Sequence, residues 1–427
     1  MNHKRVVITG MGTVNPLGHD VETTWSAMLN GASGIGPVEL FDASTFPTTF
    51  AAQVKGYDMS AQVPDAAKHV HAGRHCRFAL GAAVQAWSQS RLEACRFDKS
   101  RLGICVGSGE GSIDNNAATS LMIDAWRDGR VDTRKWAQLA FSRHDLYREV
   151  EQESNMVVAH LAAEFGARGP AVNVLTACAA STQALGEAAM RIRDGEADAM
   201  ISGGAHSMIR CFSMTGFILL TALSSRNDDI AAASRPFDAT RDGFVLGEGA
   251  SILILEEYDF ARARNAPMLA EIVGYGGSAD AFRITDQDPD GAGAAAAMRA
   301  ALDDAGLAPA DIDYISAHGT GTKQNDLVET RAVKAVFGDH ARRVPMSSVK
   351  SMVGHLVAAA GATELLTCVL AIRDQVIPPT TNLHKPDPNC DLDYVPNTAR
   401  KARVETCMSN SFGFGGQNST LIVRRAK

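Results

Sequence analysis

Residues 171–195 of this chain are AVNVLTACAASTQALGEAAMRIRDG. The uncharged, partly β-branched start predicts a short buried strand. Apolar residues from Leu185 to Ile192 then recur at helical spacing, and Gly195 is placed to end a helix. Cys178 stands where the strand gives way to the helix. Unpaired amides at a helix N-terminus act like about half a positive charge, so we expect a lowered thiol pKa and a nucleophilic role for Cys178.

Composition limits the classes of protein to consider. The 427 residues carry a net charge of −7, which argues against a general nucleic-acid or anionic-membrane binder. Eight cysteines without a C-x-x-C pair suggest neither a zinc site nor a disulfide framework. The apolar run near the start is too short for a signal peptide, and Gly361 and Glu364 interrupt the longest apolar stretch. We therefore expect a cytoplasmic protein with no membrane span.

The chain contains an internal repeat. Three segments of its second part repeat segments of its first: 270–276 repeats 6–12, 344–374 repeats 171–194, and 415–424 repeats 247–255. The pattern predicts two α/β halves, 1–256 and 257–427, related by duplication. Insertions are expected in the first half at about 35–75 and 112–154. Because ligands bind at the carboxyl ends of strands in such folds, both halves should face a shared cleft.

The second half contributes two histidines to this predicted cleft. His318 follows a predicted strand, and His355 precedes the Ala-rich helix that repeats the helix after Cys178. The Gly-rich loop at 410–416 can turn backbone amides toward a ligand. A cysteine at a helix start, two histidines and a Gly-rich loop at comparable strand ends together predict a catalytic site.

Three other histidines are close in sequence: His69, His71 and His75. No acidic or further histidine partner is evident nearby. We expect them to be solvent-facing helix residues and not metal ligands.

Four motifs carry a resemblance to a known family. They are T-A-C-A-A-S around Cys178, A-H-G-T-G-T at 317–322, V-K-S-M-V-G-H at 349–355 and N-S-F-G-F-G-G at 410–416. From Val6 to Val423 the chain resembles the β-ketoacyl-[acyl-carrier-protein] synthases of the synthase I/II type, in the thiolase superfamily. The resemblance implies an α/β duplicated thiolase fold of five layers, αβαβα, with mixed sheets. It also implies a dimer.

The resemblance also implies a reaction, decarboxylative Claisen condensation, and assigns roles in it. Cys178 would take an acyl group from acyl carrier protein. His318 and His355 would hydrogen-bond the malonyl thioester carbonyl as carbon dioxide leaves. The backbone amides of Cys178 and Phe414 match the oxyanion hole, and the Phe414 side chain matches the gate between acyl and malonyl sites. Lys350 and Glu364 match positions that order the histidines. No metal or organic cofactor is required.

Several positions depart from the family pattern or lie outside its four motifs. Asp326 lies on the loop after His318. Glu110 stands where fatty-acid synthases of type II have an apolar residue at the acyl pocket, and a buried unpaired carboxylate there would disfavour an alkyl chain. Thr221 replaces an arginine that docks the carrier, so Arg74 and Arg143 are the predicted docking cations. Glu110 and Thr221 suggest a dedicated pathway with its own carrier protein.

Alternative functions remain open at this stage. Parts of the chain resemble the ketosynthase (alpha) subunit of type II polyketide synthases, which pairs with a chain-length-factor subunit, so the partner could be a second copy or a homologue. A thiolase is disfavoured because the loop at 413–416 has no cysteine and Cys407 lies before it. The initiating synthase III type would have asparagine in place of His355. A non-catalytic partner subunit would lack Cys178.

Overall fold

The computed structural model describes residues 4–427. Residues 1–3, which belong to the predicted N-terminal half, lie outside this range. The strands are β1 Val6–Val14, β2 Ile35–Pro37, β3 Phe50–Ala52, β4 Leu102–Ser108, β5 Trp126–Arg127, β6 Arg130–Val131, β7 Ala171–Val174, β8 Ala199–His206, β9 Gly249–Glu257, β10 Ala270–Ala279, β11 Tyr314–Ser316, β12 Met346–Ser347, β13 Val376–Ile377, β14 Arg400–Lys401, β15 Thr406–Phe412 and β16 Gln417–Arg424. The helices are α1 Val21–Leu29, α2 Arg74–Ser90, α3 Asn115–Asp124, α4 Thr133–Arg143, α5 Leu146–Val150, α6 Met156–Phe165, α7 Ala180–Arg193, α8 Cys211–Leu219, α9 Tyr258–Ala263, α10 Ala292–Ala305, α11 Lys323–Phe337, α12 Lys350–Val353 and α13 Ala360–Asp374.

Strand pairing repeats along the chain. The first set of strands is ordered β1-β9-β8-β4-β7, and the second β10-β16-β15-β11-β12. In each set the first two pairs are antiparallel and the last two are parallel. A short antiparallel pairing of β1 with β10 joins the sets. The predicted boundary between the halves, at residues 256 and 257, falls at the end of β9.

Helices form three layers around the strands. α7 and α13 pack against each other between the two sets, whereas α2 and α6 cover the first set and α10 and α11 the second. Every residue of α13 from Ala360 to Ile372 is buried, as expected for a helix enclosed on all sides. The carboxyl ends of β4, β7, β11 and β12 therefore open toward the N-termini of the two central helices.

The two predicted insertions lie outside this framework. Residues 35–75 contain β2, β3 and two short 3₁₀ turns, and residues 112–154 contain α3, the β5–β6 hairpin, α4 and α5. No residue of α4 or α5 is buried, and Phe141 on α4 is 95% exposed. None of the helices in residues 4–427 is long and apolar enough to cross a membrane.

The prediction for the clustered histidines is wrong for two of the three. His69 and His75 are buried, not solvent-facing. His69 contacts His160 (Nδ1 to Nδ1, 2.8 Å) and Glu164 (Nε2 to Oε2, 3.0 Å), both on α6. These partners lie some ninety positions along the chain, so local sequence gave no sign of them. His71 is exposed and stacks on Tyr147.

Candidate active site

Cys178 lies in a one-turn 3₁₀ helix, Ala177–Ala179, between β7 and α7. Ala177 begins this turn with a φ of 46°, in the left-handed region. The tight turn allows the strand to enter the helix after only five intervening residues, and the small side chains around it leave the sulfur accessible to a cavity. The change from strand to helix thus occurs where the sequence predicted it.

His355 contacts this sulfur directly. Its Nε2 is 3.0 Å from the Cys178 Sγ. The backbone N–H of Val357 donates to Nδ1 of the same ring at 3.2 Å. Because Nδ1 accepts this hydrogen bond, the neutral imidazole carries its proton on Nε2, facing the sulfur.

His318 is held in a similar state by a buried ion pair. The Lys350 ammonium donates to the His318 backbone carbonyl at 2.6 Å, and its Nζ lies 3.3 Å from His318 Nδ1. Lys350 is in turn paired with Glu364, and both side chains are buried. An ammonium beside Nδ1 leaves the proton of the neutral ring on Nε2. Lys350 and Glu364 therefore lie where they can order His318.

The three predicted residues meet at one point. The Sγ of Cys178 and one nitrogen each of His318 and His355 all lie within 4.8 Å of one another. The two imidazole rings are 5.4 Å apart between centroids and nearly perpendicular. Residues spread over some 180 positions of sequence are thus brought within the width of a thioester group.

Electrostatics at the site differ from the sequence expectation in one respect. We expected the helix N-terminus to lower the thiol pKa, but burial raises the pKa of Cys178 to about 11, and the charge of Lys350 offsets this only in part. Burial also lowers the pKa of His318 and His355 well below its usual value, with Lys350 adding to the effect. Both imidazoles are therefore neutral near pH 7.

Phe414 lines two cavities that share the cysteine, as do Phe244 and His355. One, of about 280 Å³, is lined by Cys178, His355, Phe414 and mostly apolar side chains. The other, of about 50 Å³, is lined by Cys178, both site histidines and the hydroxyl-bearing Thr320 and Thr322. The backbone N–H of Phe414 also lowers the pKa of the Cys178 thiol, against the larger effect of burial. The role of Phe414 as a gate stays a prediction.

Carboxylates on α11 fix the loop that carries His318. Asp326, which was expected on the loop after His318, instead lies in the first turn of α11, because that helix begins at Lys323. It accepts hydrogen bonds from the backbone N–H groups of Phe237 (2.7 Å) and Gly321 (3.1 Å). Glu329, one turn later, accepts from His318 (2.8 Å) and the next residue. Sequence reasoning missed Glu329, although its spacing of three residues from Asp326 places both on one helix face.

Among residues 4–427, two groups of side chains have the donor atoms and spacing to hold a metal ion. One is the Cys178, His318 and His355 cluster, and the other is Cys76, Glu151 and His160. In the second group Glu151 already accepts hydrogen bonds from His160 (2.8 Å) and the Gly73 backbone (2.9 Å). Neither arrangement is needed for the chemistry described below.

Comparison with known proteins identifies the family. The model of the Beta-ketoacyl synthase, N-terminal domain, matches residues 3–261, and that of the C-terminal domain matches residues 269–384. The chain belongs to the β-ketoacyl synthase family. This β-ketoacyl synthase is 43% identical over 431 residues to 3-oxoacyl-[acyl-carrier-protein] synthase 2 of Coxiella burnetii, covering 100% of this chain and 99% of the relative. The enzyme of the same name from Vibrio harveyi is 41% identical over 430 residues, with 100% and 99% covered.

Solved structures agree with this assignment. A type II polyketide ketosynthase in complex with its acyl-carrier protein, bound to a hexaketide, has a TM-score of 0.88 and 33% identity, with 100% of both chains covered. A β-ketoacyl synthase from Burkholderia phymatum has a TM-score of 0.88 and 35% identity, covering 99% of this chain and 100% of that one. These findings confirm the predicted family, the thiolase-type α/β fold and the class of condensing enzyme.

Glu110 of this β-ketoacyl synthase is not the unpaired buried carboxylate considered from sequence. Its Oε1 accepts hydrogen bonds from Arg210 (3.1 Å) and Ser213 (2.9 Å), and its side chain is 37% exposed. Glu110 does line the cavity of about 280 Å³ beside Cys178. It also lines a third cavity, of about 480 Å³, which does not contain Cys178. Arg210, just before α8, and Ser213, on α8, were not predicted from the sequence, because no motif marks them.

The two predicted docking arginines have different surroundings. Arg74 donates through Nε to the buried Glu248 at 2.8 Å and through Nη2 to the Val54 carbonyl at 2.6 Å. This internal carboxylate occupies its guanidinium, which argues against the predicted role of Arg74 in docking a carrier. Arg143 is half exposed at the end of α4 and pairs with Asp124. Docking by Arg143 stays a prediction.

Proposed function

We propose that this protein catalyses the decarboxylative condensation of an acyl group with a malonyl thioester on acyl carrier protein. The observation that supports this function best is the meeting of one thiol with two neutral imidazoles, each carrying its proton on Nε2. In the first step the Cys178 sulfur attacks the acyl thioester. The acyl group moves to Cys178, and the carrier leaves as a free thiol that takes up the cysteine's proton.

The high pKa of the free thiol bears on this step. Few Cys178 side chains are ionised at pH 7, so nucleophilicity must arise as the substrate approaches. The Nε2–H of His355 can donate to the sulfur as negative charge develops on it. The backbone amides of Cys178 and Phe414 are the proposed donors to the thioester oxygen in the tetrahedral intermediate.

Malonyl decarboxylation follows in the polar cavity. Loss of carbon dioxide moves an electron pair onto the malonyl thioester and builds negative charge on its carbonyl oxygen. The Nε2–H groups of His318 and His355 would both donate to that oxygen. The enolate carbon then attacks the acyl carbon, and the Cys178 sulfur leaves as a thiolate that regains a proton. The product is a 3-oxoacyl thioester on the carrier.

Lys350, Glu364 and Asp326 are proposed as positioning residues. Lys350 holds His318 in the required tautomer, Glu364 balances the ammonium charge, and Asp326 fixes the backbone near His318. None of them needs to touch the reacting atoms. Phe414 is proposed to move between the two cavities so that acyl and malonyl groups are admitted in turn.

The partners proposed are an acyl carrier protein and a second subunit. β7 is the last strand of its set, so its outer backbone groups are unpaired and available to another chain. Leu175 immediately after β7 is 62% exposed. We propose a dimer formed along this edge and a cytoplasmic setting in which the cysteines stay reduced. Glu110, which is paired with Arg210 and partly exposed at the acyl cavity, favours a polyketide-type alpha subunit as the second candidate function.

Intact-protein mass spectrometry tests the proposed function. The full chain is incubated with an acyl thioester and malonyl-carrier protein, and the acyl adduct and the 3-oxoacyl product are measured. Cys178→Ala should remove both, whereas Cys95→Ala, at a half-buried cysteine in neither active-site cavity, should retain both. An adduct that persists in Cys178→Ala, or product formed without Cys178, would contradict the proposal.

A further inference from the structure

His206 is a buried histidine with no role in the mechanism above. It ends β8, and only 2% of its surface is exposed. Its ring lines the same cavity of about 280 Å³ that contains the Cys178 sulfur. The cavity is at the small end of the range for ligand sites.

The tautomer of this ring follows from its surroundings. The backbone N–H of Ala358 donates to Nδ1 of His206 at 3.3 Å. Burial lowers the pKa of His206 to about 3, with the charge of Arg210 adding to the effect, so the ring is neutral. A neutral imidazole that accepts at Nδ1 carries its hydrogen on Nε2.

This Nε2–H has no acceptor among residues 4–427. A side chain at position 109 would reach it, because a Cβ built on Gly109 would lie 2.3 Å from Nε2. Gly109 lines the same cavity and packs against this nitrogen, so a shift of the glycine opens the N–H group to the cavity. A buried donor without an acceptor carries a desolvation cost and requires an explanation.

The wall beside His206 is polar as well. Glu110 follows Gly109 and is held by Arg210 and Ser213. Glu110, Met208 and Phe217 line both this cavity and the larger one of about 480 Å³. A chain that extends from Cys178 toward the larger cavity must therefore pass the donor of His206 and the carboxylate of Glu110. A saturated alkyl chain would leave the His206 donor without an acceptor and would displace water from the partly exposed Glu110 carboxylate.

We propose that His206 donates a hydrogen bond to an oxygen atom on the acyl chain attached to Cys178, and that the enzyme therefore prefers oxygen-bearing chains to saturated ones. This inference rests on the proposed function, since it names the substrate class for the same site. His206 acts as a specificity-determining residue and takes no part in bond formation. The group recognised is a keto or hydroxyl oxygen along the chain.

Acylation of Cys178 by a matched series of thioesters tests the proposal. The probes are the N-acetylcysteamine thioesters of octanoate and of its 3-oxo, 5-oxo and 7-oxo derivatives, and the rate of acylation is followed by intact-protein mass spectrometry. At least one oxo chain should react about ten-fold faster than octanoate with the wild-type protein, the effect of one hydrogen bond. His206→Leu should lower that ratio about ten-fold relative to the wild-type protein. Differences in intrinsic reactivity cancel, because the same thioesters are used with each protein.

Two further variants sharpen the test. His206→Gln keeps an N–H donor and should retain part of the preference. His340→Leu is the matched control, because the Nε2 of His340 is also buried without an acceptor in the described chain but lines neither active-site cavity. It should keep the wild-type ratio.

The outcomes separate this inference from the proposed function. Equal acylation by oxo and saturated chains in the wild-type protein would overturn the inference and leave the condensing function intact. A preference that survives in His206→Leu would also overturn it. A wild-type protein that accepts none of the thioesters would overturn both.

Discussion

The turn that carries Cys178 and its counterpart in the second half have nearly the same backbone. Each is a one-turn 3₁₀ helix, Ala177–Ala179 or Val357–Ala359, and each begins with a residue in the left-handed region, at φ 46° and 48° respectively. Each leads into a central helix, α7 or α13, that starts at the next residue. The strand-to-helix turn is thus a property of the repeated fold.

The side chains at the two turns differ, and the chemistry follows that difference. Cys178 occupies the middle of the first turn, and Ala358 the middle of the second. In the second half His355 stands just before the turn, and Lys350, Glu364 and His318 supply the charges and the other donor. In the proposed reaction the first half provides the nucleophile, whereas the second provides the groups that stabilise negative charge. The repeated backbone thus carries two sets of side chains with different proposed roles.

Replacing the nucleophile while keeping the donors should produce the largest effect and test this division. Cys178→Gln has no thiol to accept an acyl group, so condensation should fall by at least about 10⁴-fold. Malonyl decarboxylation should continue, because His318 and His355 remain. The measurement is product formation by mass spectrometry alongside release of carbon dioxide from malonyl-carrier protein.

The same background isolates the contribution of the second half. His318→Ala combined with Cys178→Gln should slow decarboxylation by about 10²–10³-fold, the usual effect of removing one such donor. Loss of decarboxylation in Cys178→Gln alone would show that the roles of the two halves are misassigned. Retained decarboxylation in the double variant would exclude His318 as a donor.

The buried ion pair of the second half should be sensitive to loss of one partner. Lys350→Met leaves the Glu364 carboxylate buried without a counter-charge and should lower the free energy of unfolding by about 3–5 kcal/mol. Lys350→Met with Glu364→Leu should recover much of this loss. The matched control is Lys334→Met, which breaks the exposed pair with Asp391 and should cost no more than about 1 kcal/mol. Urea unfolding followed by circular dichroism measures all three. Equal effects at Lys350 and Lys334 would contradict this account.

The elements that follow a repeated pattern were predictable from the sequence. Strand β7, helix α7 and their counterparts β12 and α13 were expected, because apolar spacing reports on burial directly. The positions of Cys178, His318 and His355 at strand ends followed from that repeat. Their convergence followed from the general rule that ligands bind at the carboxyl ends of strands.

Groups whose environment comes from distant segments were not predictable. The thiol pKa depends on how completely the site is enclosed, and a helix N-terminus alone suggested the wrong direction. His69 and Arg74 find their partners on other elements, Glu164 and Glu248. The tautomer and surroundings of His206 are set by Ala358 and Gly109, which lie far from it in sequence. Local patterns carry no information about such tertiary contacts.

The smallest expected effect is the response of the two histidines to acid, which tests whether the second half presents neutral donors. Their pKa values are lowered by burial, so both rings should stay neutral well below pH 6.5. The rate of malonyl decarboxylation by Cys178→Gln, which lacks the titrating thiol, should therefore change by less than about two-fold between pH 7.5 and 5.5. An ordinary histidine, with a pKa of about 6.5, would be about 90% protonated at pH 5.5.

Unfolded histidines bind protons below pH 6.5 and the buried ones do not, so stability falls as the pH decreases. Circular dichroism at each pH must show that the protein stays folded. A decline in rate with a midpoint near pH 6.5 in folded protein would show that a histidine of ordinary pKa is required, and that the burial of His318 and His355 does not set their protonation state during the reaction.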